Sequence, residues 1–459
     1  MKKLIYLMAA AVFMLPGCKP NTDQSSADEA EVKLITLDPG HFHAALVQKM
    51  AYPQVSDDVY VYAPEGDELN EHLKKIEAYN SRTEDPTKWN EIIYTGADFL
   101  EKMLSEKKGN VMVTAGNNRL KTEYILKTLQ AGINVLADKP MVILPENFEM
   151  LKQCFDVAKE KNILLYDIMT ERYEITTMLQ RELSLQPTIF GELEKGTPEN
   201  PAVTKESVHH FFKMVSGSPV KRPVWFFDVD QQGEGIVDVT THLVDLVQWG
   251  CFPEQIIDYQ KDVEMLSANR WTTPISLPEF KQATGAENYP DFLQKDVVDD
   301  VLQVYSNGDM IYRLNGVCAK VSVIWNYQAP EGAGDTHFSV MRGSKANLVI
   351  RQGAEQNYKP ELYIELSAKA KADYVAELEK TFAEVETKYP GISLEKLSDT
   401  AWRVNIPANY HNGHEAHFGQ VTEKYLQFLK DNKLPDWEVP NMIAKYYTTT
   451  QALKLAKEK

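Results

Sequence analysis

The chain has 459 residues, enough for two or three domains, and 49 Lys+Arg against 66 Asp+Glu give it a formal net charge of −17. Apolar residues make up 43% and charged residues 25%, a globular balance that excludes wholesale disorder. The acidic surplus excludes the broad positive field of a nucleic-acid binder, and four cysteines in this length exclude a disulfide scaffold.

The chain opens on a basic pair, Lys2-Lys3, and an apolar stretch over 4–15 that is too short to span a bilayer. It ends in Leu15-Pro16-Gly17-Cys18, which resembles a bacterial lipobox. Residues 1–17 are therefore expected to be a signal peptide, Cys18 a lipidation site and 18–31 a polar tether. The expected location is outside the cytoplasm, anchored to a membrane by lipid alone. Cys154, Cys251 and Cys318 remain, an odd number that suggests free thiols.

From residue 32 to about 170, strands and helices alternate. Strands are expected at Val32–Leu37, Val59–Ala63, Asn110–Ala115, Ile133–Ala137 and Ile163–Ile168. Helices are expected from Pro39-Gly40 through Met50, over 67–79, and at Asp98–Ser105, Thr122–Ala131 and Glu146–Lys161. This alternation predicts a parallel sheet with helices on both faces. Beyond residue 170, Val208–Val215, Asp300–Tyr305, Met310–Leu314, Lys320–Tyr327, His337–Met341 and Asn347–Ile350 read as strands of an antiparallel meander. Turn signals separate them, among them Ser306-Asn307-Gly308-Asp309. Helices over 369–387, 414–430 and 438–456 follow. The expected fold is thus an α/β Rossmann-type domain over 32–170, then an α+β domain over 171–459 with a large, mostly antiparallel open sheet.

One ordered set of motifs is more specific. Thr114-Ala115-Gly116-Asn117-Asn118 follows a strand, Asp138-Lys139-Pro140 closes the next, and Gly233-Glu234-Gly235-Ile236-Val237-Asp238 with His242-Leu243-Val244-Asp245 come downstream. In this order they resemble the Gfo/Idh/MocA oxidoreductases, named after glucose–fructose oxidoreductase and inositol dehydrogenase. The resemblance covers roughly residues 32–350, and Pro407–Gln420 looks like the C-terminal extension of a Bacteroidetes-type subgroup. It implies NAD or NADP held by the first domain and a substrate between the two. The family's Glu-Lys-Pro falls on Asp138, Lys139 and Pro140, with a cis Lys139–Pro140 bond favoured. Its Asp-x-x-x-His falls on Asp238 and His242, and its asparagine near the nicotinamide on Asn118. Self-association through the open sheet face is also implied.

The residue chemistry agrees with those roles. Lys139 stands at the C-terminal end of an expected parallel strand, where open α/β sheets bind ligands, and its ammonium can stabilise negative charge on a reacting oxygen. A histidine suits the base that takes a hydroxyl proton. Asp238 and His242, four apart, would share one helix face.

The phosphate loop departs from the pattern. Where Gly-x-Gly-x-x-Gly is expected, the chain reads Asp38-Pro39-Gly40-His41-Phe42-His43, and only Gly40 survives. His41 and His43 are candidate phosphate contacts, and Glu65 is a displaced candidate for the adenosine ribose. Arg172, Tyr173, His210, Lys213 and Trp325 are candidate sugar contacts; the adjacent His209 and His210 should point to opposite faces of their strand. His411, His414 and His417, spaced His-x-x-His-x-x-His, form a candidate site for a divalent metal. The expected activity is oxidation or reduction at a hydroxyl or keto position of a sugar or glycoside, with redox-assisted glycoside cleavage or carbohydrate binding without catalysis as alternatives.

Overall fold

The computed structural model describes residues 32–215, 218–366 and 373–459. The expected signal peptide, Cys18 and the tether lie outside the described residues, as does the start of the expected helix at 369–372.

Six strands form the first sheet: β1 (Leu34–Leu37), β2 (Asp58–Ala63), β3 (Asn90–Thr95), β4 (Val111–Thr114), β5 (Asn134–Asp138) and β6 (Leu165–Ile168). All neighbours are parallel, in the order β3-β2-β1-β4-β5-β6. Strands β1, β4 and β6 are buried throughout, the signature of a sheet covered on both faces. Helices α1 (His43–Leu46), α2 (Asp67–Ser81), α3 (Phe99–Glu106), α4 (Lys121–Gln130) and α5 (Phe148–Lys161) supply the cover.

Two elements differ from expectation. The helix expected through Met50 is one turn, because Trp89 Nε1 and Arg82 Nη2 donate to the carbonyls of Gln48 and Lys49 and end the helical ladder there. Strand β3 was not expected. It lies at the sheet edge with Ile92 and Ile93 exposed, so its sequence carries no buried alternation.

The second part of the chain runs α6 (Ile175–Ser184), β7 (Val203–Phe212), the short pair β8 (Met214–Val215) and β9 (Ser218–Pro219), α7 (Val229–Gln232) and α8 (Thr240–Cys251). Next come β10 (Val263–Ser276), α9 (Leu277–Thr284), β11 (Val297–Val298), β12 (Val301–Leu314), β13 (Val317–Gln328), β14 (Thr336–Arg342), β15 (Ala346–Arg351) and β16 (Glu361–Leu366). The chain ends with α10 (Tyr374–Lys388), β17 (Ser393–Ser398), β18 (Ala401–Asn405), α11 (Gly413–Asp431) and α12 (Glu438–Lys457). The large sheet has the order β10-β12-β13-β7-β14-β15-β16-β18-β17, with β11 beside β12. Only β7 and β13 pair in parallel; the other neighbours are antiparallel.

The expected turn at Ser306–Asp309 is the middle of β12. Asn307 is buried there, and its side chain accepts from Trp325 N and donates to Thr273 Oγ1, which holds three strands in register. A Cβ on Gly308 would come within 2.8 Å of Ile236 Cβ, so glycine is present to admit a neighbouring loop and not to reverse the chain.

Helix α12 joins the two parts. Met442 and Tyr446 belong to the core under the first sheet, while Ala444, Ala452, Leu453 and Ala456 belong to the core under the second. Phe418, Val421, Tyr425 and Leu426 of α11 also pack into the first core. A boundary at residue 170 therefore separates the sheets, but the terminal helices return across it.

Candidate functional site

The site forms where the C-terminal ends of β1, β4 and β5 meet the loop before α8. Strand β5 ends in Asp138, Lys139 follows, and the Lys139–Pro140 bond is cis. Lys139 Nζ lies 2.6 Å from Asp238 Oδ1, and both side chains are largely buried. Gln232 Nε2 donates to the other Asp238 oxygen at 3.0 Å. This locks the carboxylate between an amide and an ammonium.

Asp238 precedes α8 and does not sit on it; the helix starts at Thr240. What places Asp238 is Gly235, whose N–H donates to Tyr305 O at 3.1 Å. A Cβ on Gly235 would lie 1.7 Å from Ser306 O, so only glycine allows this loop to lie against β12. Beneath Asp238, Phe211, Phe226 and Trp325 enclose a cavity of about 20 Å³.

His242 lies on the first turn of α8, and its Nδ1 is buried without a partner among the described residues. Burial holds its imidazole well below the ordinary histidine range, and the nearby charge of Lys139 pushes it the same way. Asn118 Oδ1 is likewise buried and unpartnered, while its Nδ2 donates to Gln232 O at 2.7 Å. Two buried polar atoms are thus left for a ligand at this end of the crevice.

The β1–α1 loop differs from a glycine-rich phosphate cradle. Gly40 approaches Gly116 so closely that a Cβ would lie 3.3 Å from Gly116 Cα and 3.3 Å from Trp225 Cζ2. His43 Nδ1 lies 3.0 Å from Asp138 Oδ2, and His41 Nδ1 lies 3.8 Å from the same oxygen. His41, His43, Asp138, Asn118, Gly40, Lys139, Asp238 and His242 are thereby gathered at one crevice. Glu65 stands exposed at the end of β2, its carboxylate 3.4 Å from Thr95 Oγ1.

The candidate sugar contacts are bonded within the protein or packed in its core. Arg172 is engaged within the protein: Nε and Nη2 bond both oxygens of Asp245 at 2.7 Å, and Nη1 bonds Glu438 at 2.8 Å, all buried. Tyr173 is half-buried against the first core. His210 and Lys213 converge on Asp335, and His209 Nδ1 also reaches that carboxylate, at 3.0 Å. The two adjacent histidines share one partner because Asp335 directly precedes β14, whose first residue, Thr336, pairs with Val208 of β7. Trp325 is buried, stacked on His209 with ring centroids 5.0 Å apart, so its ring is committed to the aromatic floor.

The expected metal trio does not assemble. His411 is exposed at the end of a short turn, and His417 Nε2 is bonded to Asn412 Oδ1. His417 is buried on that bond, while His414 packs toward the crevice, its ring centroid 5.3 Å from that of His43. The break is geometric: α11 begins at Gly413, so His411 is outside the helix whose face His414 and His417 share.

Sequence reasoning missed Gln232, Asp335, Arg222 and Lys121. Arg222 donates to the carbonyls of His210 and Phe211 and lies over the rings of Phe226 and Trp325. Lys121 is buried and donates to Asp138 O, and burial lowers its ammonium to about 8. A lysine on an apolar helix face was the one available signal; nothing local marks the others.

Residues 63–167 match the family described as "Oxidoreductase family, NAD-binding Rossmann fold", and residues 179–457 match "Putative oxidoreductase C terminal domain". The chain belongs to the Gfo/Idh/MocA oxidoreductases, in the group that carries this C-terminal domain. A crystal structure of a "putative oxidoreductase" from Parabacteroides merdae is 67% identical, with TM-score 0.92, covering 93% of this chain and 98% of that one. A levoglucosan dehydrogenase in complex with NADH is 12% identical, with TM-score 0.61 and coverage of 93% and 97%. A 3-ketoreductase from Actinomadura kijaniata in complex with NADP is also 12% identical, with TM-score 0.56 and coverage of 93% and 98%. These last two share the fold. Among curated proteins, none matches.

The residues present fit a nicotinamide group at the reacting end of the crevice. Asn118 Oδ1 is an acceptor in want of a donor, and Lys139 and His242 flank it with a donor and a proton acceptor. The phosphate end is built from imidazoles and a carboxylate in place of glycine amides.

Proposed function

We propose that this chain oxidises or reduces a hydroxyl or keto position of a sugar or glycoside, with Lys139, Asp238 and His242 as the reacting group. The single observation that carries the reading is the buried Lys139–Asp238 pair at 2.6 Å beside the unpartnered His242 Nδ1. A nicotinamide, when bound, supplies the hydride acceptor or donor. Asn118 would hold its amide edge.

The chain's own residues do the rest. Lys139 donates a hydrogen bond to the substrate oxygen and stabilises the charge that grows there as its proton leaves. Asp238 aims the ammonium, and Gln232 aims Asp238. His242 is neutral because it is buried, and so can accept the hydroxyl proton. The levoglucosan dehydrogenase and the 3-ketoreductase that share the fold support a sugar-type substrate. The acidic chain, at −17, disfavours a strongly anionic one.

Export and lipidation at Cys18 belong to the same proposal, with self-association through the open sheet face. Cys18→Ser should release the protein from the membrane fraction; unchanged membrane association would contradict the anchor. For the activity, reduced-nicotinamide absorbance is followed with a panel of neutral glycosides and their keto forms. Turnover by the wild type that is lost in both Lys139→Met and His242→Gln is the expected result. Turnover unchanged in both variants would reject the assignment.

A further inference from the structure

His41, His43 and Asp138 carry no role in the mechanism above, yet they bring three potential ligand atoms within 4.8 Å of one another. We propose that these three side chains form a binding site for a divalent first-row transition metal, next to the proposed reacting group. His43 Nδ1 and Asp138 Oδ2 are 3.0 Å apart, close to the separation of two ligands on one ion with bonds of about 2.0–2.2 Å. His41 stands edge-on to His43, ring centroids 4.0 Å apart and planes at 87°, so both rings reach one point without stacking. The donor set is two imidazoles and one carboxylate, which suits zinc, iron, cobalt or nickel and not calcium or magnesium.

Three features of the chain support the site. Lys139 spends its charge on Asp238, so Asp138, one residue earlier, is left to the imidazoles. The one-turn helix α1 holds His43 buried at its start, and the β4 loop fixes His41 through the His41 N–H to Ala115 O bond at 3.1 Å. His414 packs against His43 from α11, a positioning contact that pins the second ring. Three protein ligands leave a coordination position open, the arrangement of a site that takes a water or a substrate oxygen. The pattern Gly-His-Phe-His, poor as a phosphate loop, reads well as two metal ligands on a tight turn.

The test uses the full chain, stripped with chelator and dialysed, with no nucleotide or sugar present, so that its outcome is independent of the oxidoreductase reading. Cobalt(II) is titrated in and followed by its visible d–d absorption, with metal stoichiometry by elemental analysis. One equivalent per chain is expected. His43→Ala and Asp138→Asn should each weaken binding more than about 100-fold, with an unchanged circular dichroism spectrum confirming that each variant is folded. His417→Ala, a change in a residue bonded to Asn412 instead, should bind as the wild type does. No cobalt binding by the wild type overturns the site. Equal loss in His417→Ala, or full binding by both His43→Ala and Asp138→Asn, overturns the ligand set.

Discussion

Arg172 separates two accounts of the same residue, one as a sugar contact and one as a structural clamp. In the structure its guanidinium makes three charge-assisted bonds of 2.7–2.8 Å, two to Asp245 and one to Glu438, with all three side chains buried. Asp245 lies on α8, the helix that carries His242, and also bonds Lys445 Nζ of α12 at 2.9 Å, and that ammonium is 2.7 Å from Asp167. Arg172→Ala strands Asp245 with one cation and Glu438 with none. Breaking a buried pair from one side costs about 3–5 kcal/mol. Most of that is expected at Asp245, whose carboxyl Arg172 and Lys445 hold far below its ordinary range despite its burial.

At about 2–4 °C per kcal/mol for a chain of a few hundred residues, the thermal midpoint should fall by roughly 6–20 °C. The sign with pH follows. A depressed carboxylate contributes stability that is fully present above its unfolded value of about 3.9 and is lost as pH falls toward its folded value. Wild type and Arg172→Ala should therefore differ most near neutrality and converge in acid. The assay is scanning calorimetry at several pH values alongside KM for a responsive glycoside. A variant that keeps its midpoint within about 1 °C and instead raises KM would refute the clamp and restore the sugar contact.

Other expectations follow from single sites. Lys205 is buried with a hydrogen bond to Gln180 Oε1 at 2.8 Å, and burial lowers its ammonium to about 8. A lysine with a lowered folded value costs stability below pH 8 and less as pH rises toward about 10.4. Lys205→Met should therefore raise denaturant stability at pH 7 by about 1–3 kcal/mol and flatten the alkaline rise; a loss of stability would show that the charge is compensated. Lys139→Met should lower kcat by about 10²–10³-fold in protein that stays folded but is less stable, because Asp238 is left buried without its cation, and a folded variant with wild-type kcat would refute the role. Gly235→Ala forces a Cβ to 1.7 Å from Ser306 O, so the loop must move. Turnover should collapse even where soluble folded protein is recovered, and normal kcat would refute the placement of Asp238 by this glycine.

The parallel sheet was legible because β1, β4 and β6 are buried runs punctuated by Gly and Pro, and the motif order carried Lys139, Asp238 and Asn118 to one crevice. What failed had physical causes. Ser306-Asn307-Gly308-Asp309 has turn composition, but Asn307 spends its amide across three strands and Gly308 makes room for Ile236. Strands β10, β16 and β17 went unseen because their buried alternation is weak or interrupted by register shifts, as at Met265/Ser267 in β10, and β18 because its alternation runs over only five residues. Spacing suggested that His411, His414 and His417 would converge, but the helix begins between the first two, and His414 meets His43 through tertiary packing that no local pattern announces. Arg172 looked like a ligand because its partners, Asp245 and Glu438, lie 73 and 266 residues away.

The central claim is that the crevice between Asn118, Lys139 and His242 is a working nicotinamide site. Native mass spectrometry of the wild-type chain with NAD(H) and NADP(H), beside Asn118→Leu, tests it most directly. The account predicts one dinucleotide per wild-type chain, retained from purification or taken up on addition, and weakened in Asn118→Leu. Wild-type protein that is folded, carries no nucleotide and takes up none of the four forms would contradict it.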